Sequence, residues 1–547
     1  MIPVEVLIRK RKPCLYCRKS LARMPLLLNN LRRGKGVMDR YRFIYGERQA
    51  MAGRCEAFFN VVMYGAVGDG ATNSTKAINA AIDAAAGTGG GTVLVPAGRF
   101  LSGSIVLKSN VTLHVDPGAM ILGSNDEKDF PEVEGWWSNN IHADGVENIA
   151  ITGGGTIDGR GQYWWARVKK GDKRVMRPNL VGMRNCKGVL IRDVKLINSP
   201  MWTVRPIFCD NVTVDRVSIC NPADSPNTDG INPDSCSNVH ISNCHIDVGD
   251  DCVTIKSGTQ YETGRRGRPC ENITVTNCTM IHGHGGVVIG SETTGGIKNI
   301  LISNCVFQDT DRGLRFKSLR GRGGVIEDVR VTNVVMENVL CPFVMNTYYM
   351  HDPAASEDPA DAYKLQPVNE GTPIFRNVHF SNCTARNVRS AAGFIHGLPE
   401  MPISGVTFDN IRIEMTDDPK NVGGQAAMVK WLKDTRSAGL MCYNTEDIEF
   451  RNVRIEKAAG PSLSVNHSKG ISIDNVQIRR PQTHDAPAIE LVNVVGACLA
   501  NCNQREGSSI LLAVSGAETR DVQHRFGESA EVVRVGKDVP KGAVKAE

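Results

Sequence analysis

Residues 236–244 read "CSNVHISNC" and residues 270–278 read "CENITVTNC". In each, apolar and polar residues alternate, which describes a strand with one face turned inward. Each ends in Asn-Cys. The phrase recurs along the chain as "CKGVLIRDV" (186–194), "CDNVTVDRV" (209–217), "IKNILISNC" (297–305), "IEDVRVTNV" (326–334), "FRNVHFSNC" (375–383) and "ISGVTFDNI" (403–411). Shorter versions follow as "DIEFRNV" (447–453) and "GISIDNV" (470–476). Aligning the first apolar residue gives Val189, Val212, Val239, Ile273, Ile300, Val329, Val378, Val406, Ile448 and Ile471, with Ile149 ahead of them.

The intervals are 40, 23, 27, 34, 27, 29, 49, 28, 42 and 23 residues. A period of this size marks a solenoid. A leucine-rich repeat needs a regular Leu frame and a shorter, constant period, and neither is present. A constant strand phrase with variable connections predicts an all-β fold, a right-handed single-stranded parallel β-helix. Its strands stack while its loops vary in length. Asn at a fixed turn can ladder its amide onto the next copy, and the Cys after it points inside. Eleven rungs at roughly 4.8 Å make a rod of about 50 Å. "STKAINAAIDAAA" (74–86) carries the helical stripe Ala77, Ile78, Ala81, Ile82 and Ala85, with Asn73 or Ser74 to cap it and Gly87 to end it. It is expected to cover one open end. The glycines after it precede a strand at Val93–Val95, the reverse of a phosphate-binding order, so they read as a turn.

Composition agrees. Of 547 residues 55 are Gly, and aromatics are only 6%, which suits many short strands and turns. Residues 1–55 carry a net +11 and the remaining 492 a net −5. A mildly acidic body with a basic arm excludes a basic nucleic-acid-binding domain. The division expected is a basic arm at 1–55, a β-helix at 56–520, and a tail or end cap at 521–547. The arm reads as a flexible tail, a partner-binding segment, or a start placed too far upstream, with Met38 and Met51 as alternatives. No apolar run is long enough for a membrane span or a signal-peptide core. Seventeen cysteines, most at one place in the repeat, read as small buried side chains. Cys14 and Cys17 form a CxxC with no second pair nearby. Together these point to a reducing, cytoplasmic setting, or to a secreted or periplasmic one if the start is misplaced.

A second strand series runs between the phrases: "TDGINPDS" (228–235), "DDCVTIKS" (250–257), "HGGVVIGS" (284–291) and "DRGLRFKS" (311–318). Ile231, Val253, Val287 and Leu314 fall in register at one per rung. With those residues inward, Lys256, Arg315 and Lys317 point out. Asp229, Asp250, Asp251, His284, Arg315 and Lys317 then converge on one outer patch. Paired carboxyls, one protonated and one ionised, equip a site to cleave a glycoside. Crowding raises the pKa of at least one of them. Arg and Lys beside them suit a carboxylated sugar. His282 lacks such support and reads as a surface residue. The pairs Trp136-Trp137 and Trp164-Trp165 read as sugar platforms or as core packing.

At these residues the chain resembles glycoside hydrolase family 28, the polygalacturonases, over roughly residues 58–480. "NTDG" (227–230), "GDD" (249–251), "GHG" (283–285) and "RFK" (315–317) appear in order, as does the opening "YGAVGDGATNSTKAINAAIDAA", which is similar to bacterial members. The resemblance implies that Asp250 is the general acid and that Asp229 and Asp251 activate the attacking water. It implies that His284 tunes the acid, that Arg315 and Lys317 bind the substrate carboxylate, and that Tyr349 is the substrate-binding tyrosine the family uses after the fourth motif. Asn227 and Lys256 complete the expected binding set. It further implies inversion, no metal and no cofactor. The expected partner is an acidic polysaccharide, galacturonan, with exo action. Insertions near 126–180 and 350–373 are placed to wall off one end of the groove. The rivals are hydrolysis of rhamnogalacturonan or decorated galacturonan, a calcium-dependent pectate lyase, and a non-catalytic polysaccharide-binding β-helix.

Overall fold

The computed structural model describes residues 58–546, apart from 134–135, 173–174, 259–266, 351–357, 359, 361–362, 480–485, 506–509 and 527–531. The basic arm, with Cys14 and Cys17, and the side chains of Trp136 and Trp137 lie outside the described residues.

The chain winds as a right-handed parallel β-helix with three strand faces. On the first face every aligned apolar residue pairs with its successor. Ile149 pairs with Val189, Val212 with Val239, Ile273 with Ile300, and Val378 with Val406. The long intervals do not break this register: Val329 pairs with Val378 and Val406 with Ile448. Three coils precede Ile149, through Phe58–Asn60, Gly91–Val95 and Val111–Val115. Three follow Ile471, through Ala497, Val522 and Val544. The rod is therefore about 80 Å long at roughly 4.8 Å per rung. The segment 521–547, expected to be a tail or end cap, carries further coil strands at Arg520–Arg525, Val533–Val535 and Val544–Ala546. Those last strands carry weak alternation, and the stacking surface of the coil before them holds them.

Inward residues of all three faces merge in one core, in which Val212, Val239, Ile273 and Ile300 are at most 1% exposed. At the corner between the first two faces, Asn243, Asn277, Asn304 and Asn382 have φ between 53° and 57°, a left-handed conformation that Asn tolerates well. The Nδ2 of Asn277 donates to Oδ1 of Asn243, and that of Asn333 to Asn304, at 3.4 and 3.2 Å. Cys244, Cys278, Cys305 and Cys383 follow these turns, buried as free thiols. A second ladder that alignment did not single out runs Asn211–Asn238–Asn272–Asn299 at 3.1–3.2 Å.

The helix Thr75–Gly87 buries Ile78, Ala81, Ile82 and Ala85 against the first coils. Asn73 caps it, accepting from the Thr75 backbone N–H at 3.0 Å. Ser74 turns its hydroxyl to Val67 instead.

The third face carries the site. It runs through Ile141–Asp144, Val181–Arg184 and Val204–Ile207. It passes by bridges to Ile231 and Val253, then to Val287–Gly290, Arg312–Lys317 and Cys341–Asn346.

Candidate active site

Ile231 bridges Val253, Val253 pairs with Val287, and Val287 pairs with Leu314. This is the register read from the sequence. Counting back two residues aligns Asp229 with Asp251 on neighbouring coils. All nine expected residues, Asp229, Asp250, Asp251, His284, Arg315, Lys317, Tyr349, Asn227 and Lys256, line one groove of about 600 Å³.

Outward does not mean exposed here. Arg315, Lys317 and Lys256 are 2–5% exposed. They leave the core on the outer side of the strands, but the groove walls cover them. Lys317 Nζ donates to Asp251 Oδ2 at 2.7 Å and Arg315 Nη1 to Oδ1 at 3.3 Å. Asp229 accepts from Asn232 Nδ2 at 3.0 Å and Thr254 Oγ1 at 3.3 Å. Asp250 accepts from the Asp251 backbone N–H at 2.9 Å and faces His284 Nδ1 at 3.5 Å. Tyr349 presents its ring to Lys317 and Arg315, 5.0 and 5.5 Å from the ring centroid.

These partners split the three acids. Burial, then the charge of Asp250, pushes Asp229 up to about 8. Burial alone would raise Asp250, but the His284 hydrogen bond and charge outweigh it and hold Asp250 below the usual carboxylate range. Burial is likewise outweighed at Asp251, by Lys317 and then Arg315. His284 is raised, first by its hydrogen bond to Asp250. Of the three, Asp229 is thus the acid whose proton is favoured, whereas the resemblance puts the general acid at Asp250. Exposure favours Asp250: 20% of its side chain is open, against 1% for Asp251.

The three carboxylates bring one oxygen each within 4.8 Å of one another, a grouping that, among the described residues, could hold a metal ion. Lys317 Nζ already sits where a cation would meet Asp251.

Several groove residues escaped sequence reasoning. Val204 bridges Ile231, which puts Trp202 one coil before Asp229 in the same column. Extending the register one rung upstream would have found it. Its ring lies 4.7 Å from Lys256 Nζ and 4.1 Å from the Arg205 guanidinium. Lys256 is paired with Glu292 at 2.9 Å. Glu292 falls to about 2, because Lys256 outweighs its burial. Trp164 and Trp165, by contrast, are core: both are buried, and Trp165 Nε1 donates to Ser199 O at 3.0 Å. His282 is half exposed and pairs with Asp247.

Two insertions bound the groove. From the first, Arg177 donates to Pro226 O and to Asn227 Oδ1, each at 2.7 Å. On the other side a loop at 416–437 brings Met428 Sδ to 2.7 Å from Arg315 Nη2, while Arg312 donates to Gln425 O at 2.7 Å. This is the 42-residue interval between Val406 and Ile448. The expected 350–373 insertion lies partly outside the described residues. Its Tyr363 packs with Trp431, from the same loop, about a buried His396.

Residues 87–429 match the family model for glycosyl hydrolases family 28. The chain belongs to that family. It is a glycoside hydrolase. It is 32% identical over 381 residues to a probable polygalacturonase of Vitis vinifera, covering 66% of this chain and 75% of that one. A crystal structure of a hyperthermoactive exopolygalacturonase from Thermotoga maritima is 30% identical, with a TM-score of 0.57, covering 66% of this chain and 88% of that one. The polygalacturonase of Erwinia carotovora ssp. carotovora is 29% identical at a TM-score of 0.54, over 65% of this chain and 94% of that one.

Proposed function

We propose that this hydrolase cleaves α-1,4-galacturonosidic bonds of pectin-derived poly- or oligogalacturonate, with inversion and from chain ends. One observation carries the reading. Asp229 and Asp251 stand in register on adjacent coils, with Asp250 and a cationic wall of Arg315, Lys317 and Lys256 in the same groove. Three acids answer the needs of bond cleavage, and the bases answer the charge of the sugar. Names of family relatives that act on galacturonan, an exopolygalacturonase among them, support the same reading.

In this mechanism Asp229 and Asp250 share one proton. Asp250 delivers it to the leaving oxygen, because its side chain is the most exposed of the three. Asp251, ionised against Lys317 and Arg315, and Asp229, once its proton has passed to Asp250, orient a water. Direct attack by that water, with Asp251 held in place by Lys317 and Arg315, inverts the anomeric centre. His284 controls the ionisation of Asp250. Arg315, Lys317, Tyr349, Asn227 and Lys256 seat the substrate. The segments that carry Arg177 and Met428 bound the groove, which suits exo action on oligomers.

Inversion has a sharp test. Proton NMR of the product at early times is expected to show the β-anomer. An initial α-anomer would overturn inversion, and an early ladder of mixed oligomers from polygalacturonate would overturn exo action. Nucleic acid and membrane are not partners in this proposal. A cytoplasmic setting with imported oligomers belongs to it, and activity in fractionated cells tests that.

A further inference from the structure

Tyr349 and Met428 both line the groove, and both lie against its cations: Tyr349 against Lys317 and Arg315, Met428 against Arg315. They come from two separate segments. The Met350 backbone N–H donates to Met428 O at 3.1 Å and ties those segments to each other. Both then lean on one ring. Tyr348, next to Tyr349, lies 4.8 Å from His396 between ring centroids. Trp431, three residues after Met428, meets the same imidazole edge-on at 5.5 Å, and meets Tyr348 at 5.9 Å. Tyr443, Phe394 and Tyr363 close the remaining sides at 5.0–5.6 Å.

Register brings His396 to this place. Lys317 pairs with Asn346 and Asn346 with His396, so the imidazole stands two coils beyond Lys317 in the outward column. It does not line the groove. His396 is 1% exposed, and among the described residues neither ring nitrogen has a hydrogen-bond partner. Burial pushes it down to about 3, so the ring is neutral. A polar ring buried in this way is costly. What it returns is packing, and the groups packed on it are the supports of Tyr349 and Met428.

We propose that His396 is a positioning residue for substrate binding: through Tyr348 and Trp431 it holds Tyr349 and Met428 against the cations that seat the substrate. The inference rests on the galacturonan reading. His396 acts on how the substrate is held and leaves the three acids alone.

Kinetics on trigalacturonate test this, with wild type, His396→Ala, His396→Phe and Trp431→Leu compared, and His396→Ala repeated in a Met428→Ala background. His396→Ala is expected to raise KM about tenfold with kcat nearly unchanged, the mark of lost uniform binding. His396→Phe keeps a ring in the cage, so its KM should stay near that of wild type. It also sheds two buried unpaired nitrogens, so its melting temperature should rise. In the Met428→Ala background the His396→Ala penalty should shrink, because the two sites are coupled. Trp431→Leu breaks the same contact from the other side and should raise KM as well, which keeps the test standing if His396→Ala does not fold. An unchanged KM in His396→Ala or Trp431→Leu, a loss confined to kcat, a raised KM in His396→Phe, or an equal penalty in both backgrounds would overturn the proposal. Wild type inert towards trigalacturonate would instead overturn the galacturonan reading, and this role with it.

Discussion

Asp229 and Asp251 occupy one position on two successive coils, joined through the Ile231–Val253 bridge. Two carboxylates 22 residues apart in the chain are thereby separated by a single rung. The fold itself makes the pair, and no local loop has to bend to bring it together.

Asp250→Asn is expected to lower reducing-sugar release from polygalacturonate by about 10²–10⁴-fold, the span typical of a lost general acid. Substrate binding by calorimetry should survive. A purely binding β-helix would lose nothing, so retained function in this variant would refute catalysis at Asp250.

Asp229 works against the fold. Its value rises from 3.8 to about 8 on folding, so the native state holds a proton that the unfolded chain has shed. The stability tied to that group is complete below about 4 and is lost as pH climbs towards 8. Asp229→Asn should therefore raise the melting temperature at pH 7–8, and the gain should fade as the pH drops towards 4. A pH-independent difference would contradict the protonation assignment.

His284 acts with the opposite partner. Its raised value means that its pairing with Asp250 stabilises fully below the ordinary 6.5 and is lost as pH rises through the folded value. At the acid end the benefit fades as Asp250 protonates, below the usual carboxylate range. His284→Gln should thus cost most stability in mildly acidic buffer and little in alkaline buffer. Chemical denaturation across pH reads this directly.

Lys256 and Glu292 are both largely buried, their side chains 7% and 15% exposed. Lys256→Met strands the glutamate and is expected to destabilise by about 3–5 kcal/mol. The double variant Lys256→Met, Glu292→Leu should regain most of the loss, because an apolar pair needs no counter-charge. Urea midpoints of the two variants would decide it.

The coil register was legible in the sequence because strand pairing repeats one rule. The inward positions Val189, Val239 and Ile300 had to be apolar, and that constraint leaves a trace every coil. The acids were legible through the same rule, counted outwards from Ile231 and Val253. What the alternation did not reveal was cover. Arg315 reads as outward and is outward, yet Met428 lies over it, from a loop 113 residues away. Loop residues obey no period, so Met428 and Glu292 left no pattern to align. Trp202 was readable one rung upstream but carried no motif. The last coils stayed open between tail and end cap because the stretches around Val522 and Val544 alternate too weakly to announce a strand, while a finished coil beneath them supplies the template.

The intervals of 40, 49 and 42 residues interrupt the winding without shifting a single strand pair. Excursions of this kind can be lengthened, trimmed or exchanged while the reacting carboxyls keep their mutual distance. Chemistry and selectivity are therefore separately heritable in such a rod, and grafting loops between relatives should transfer chain-length preference without rebuilding the catalyst.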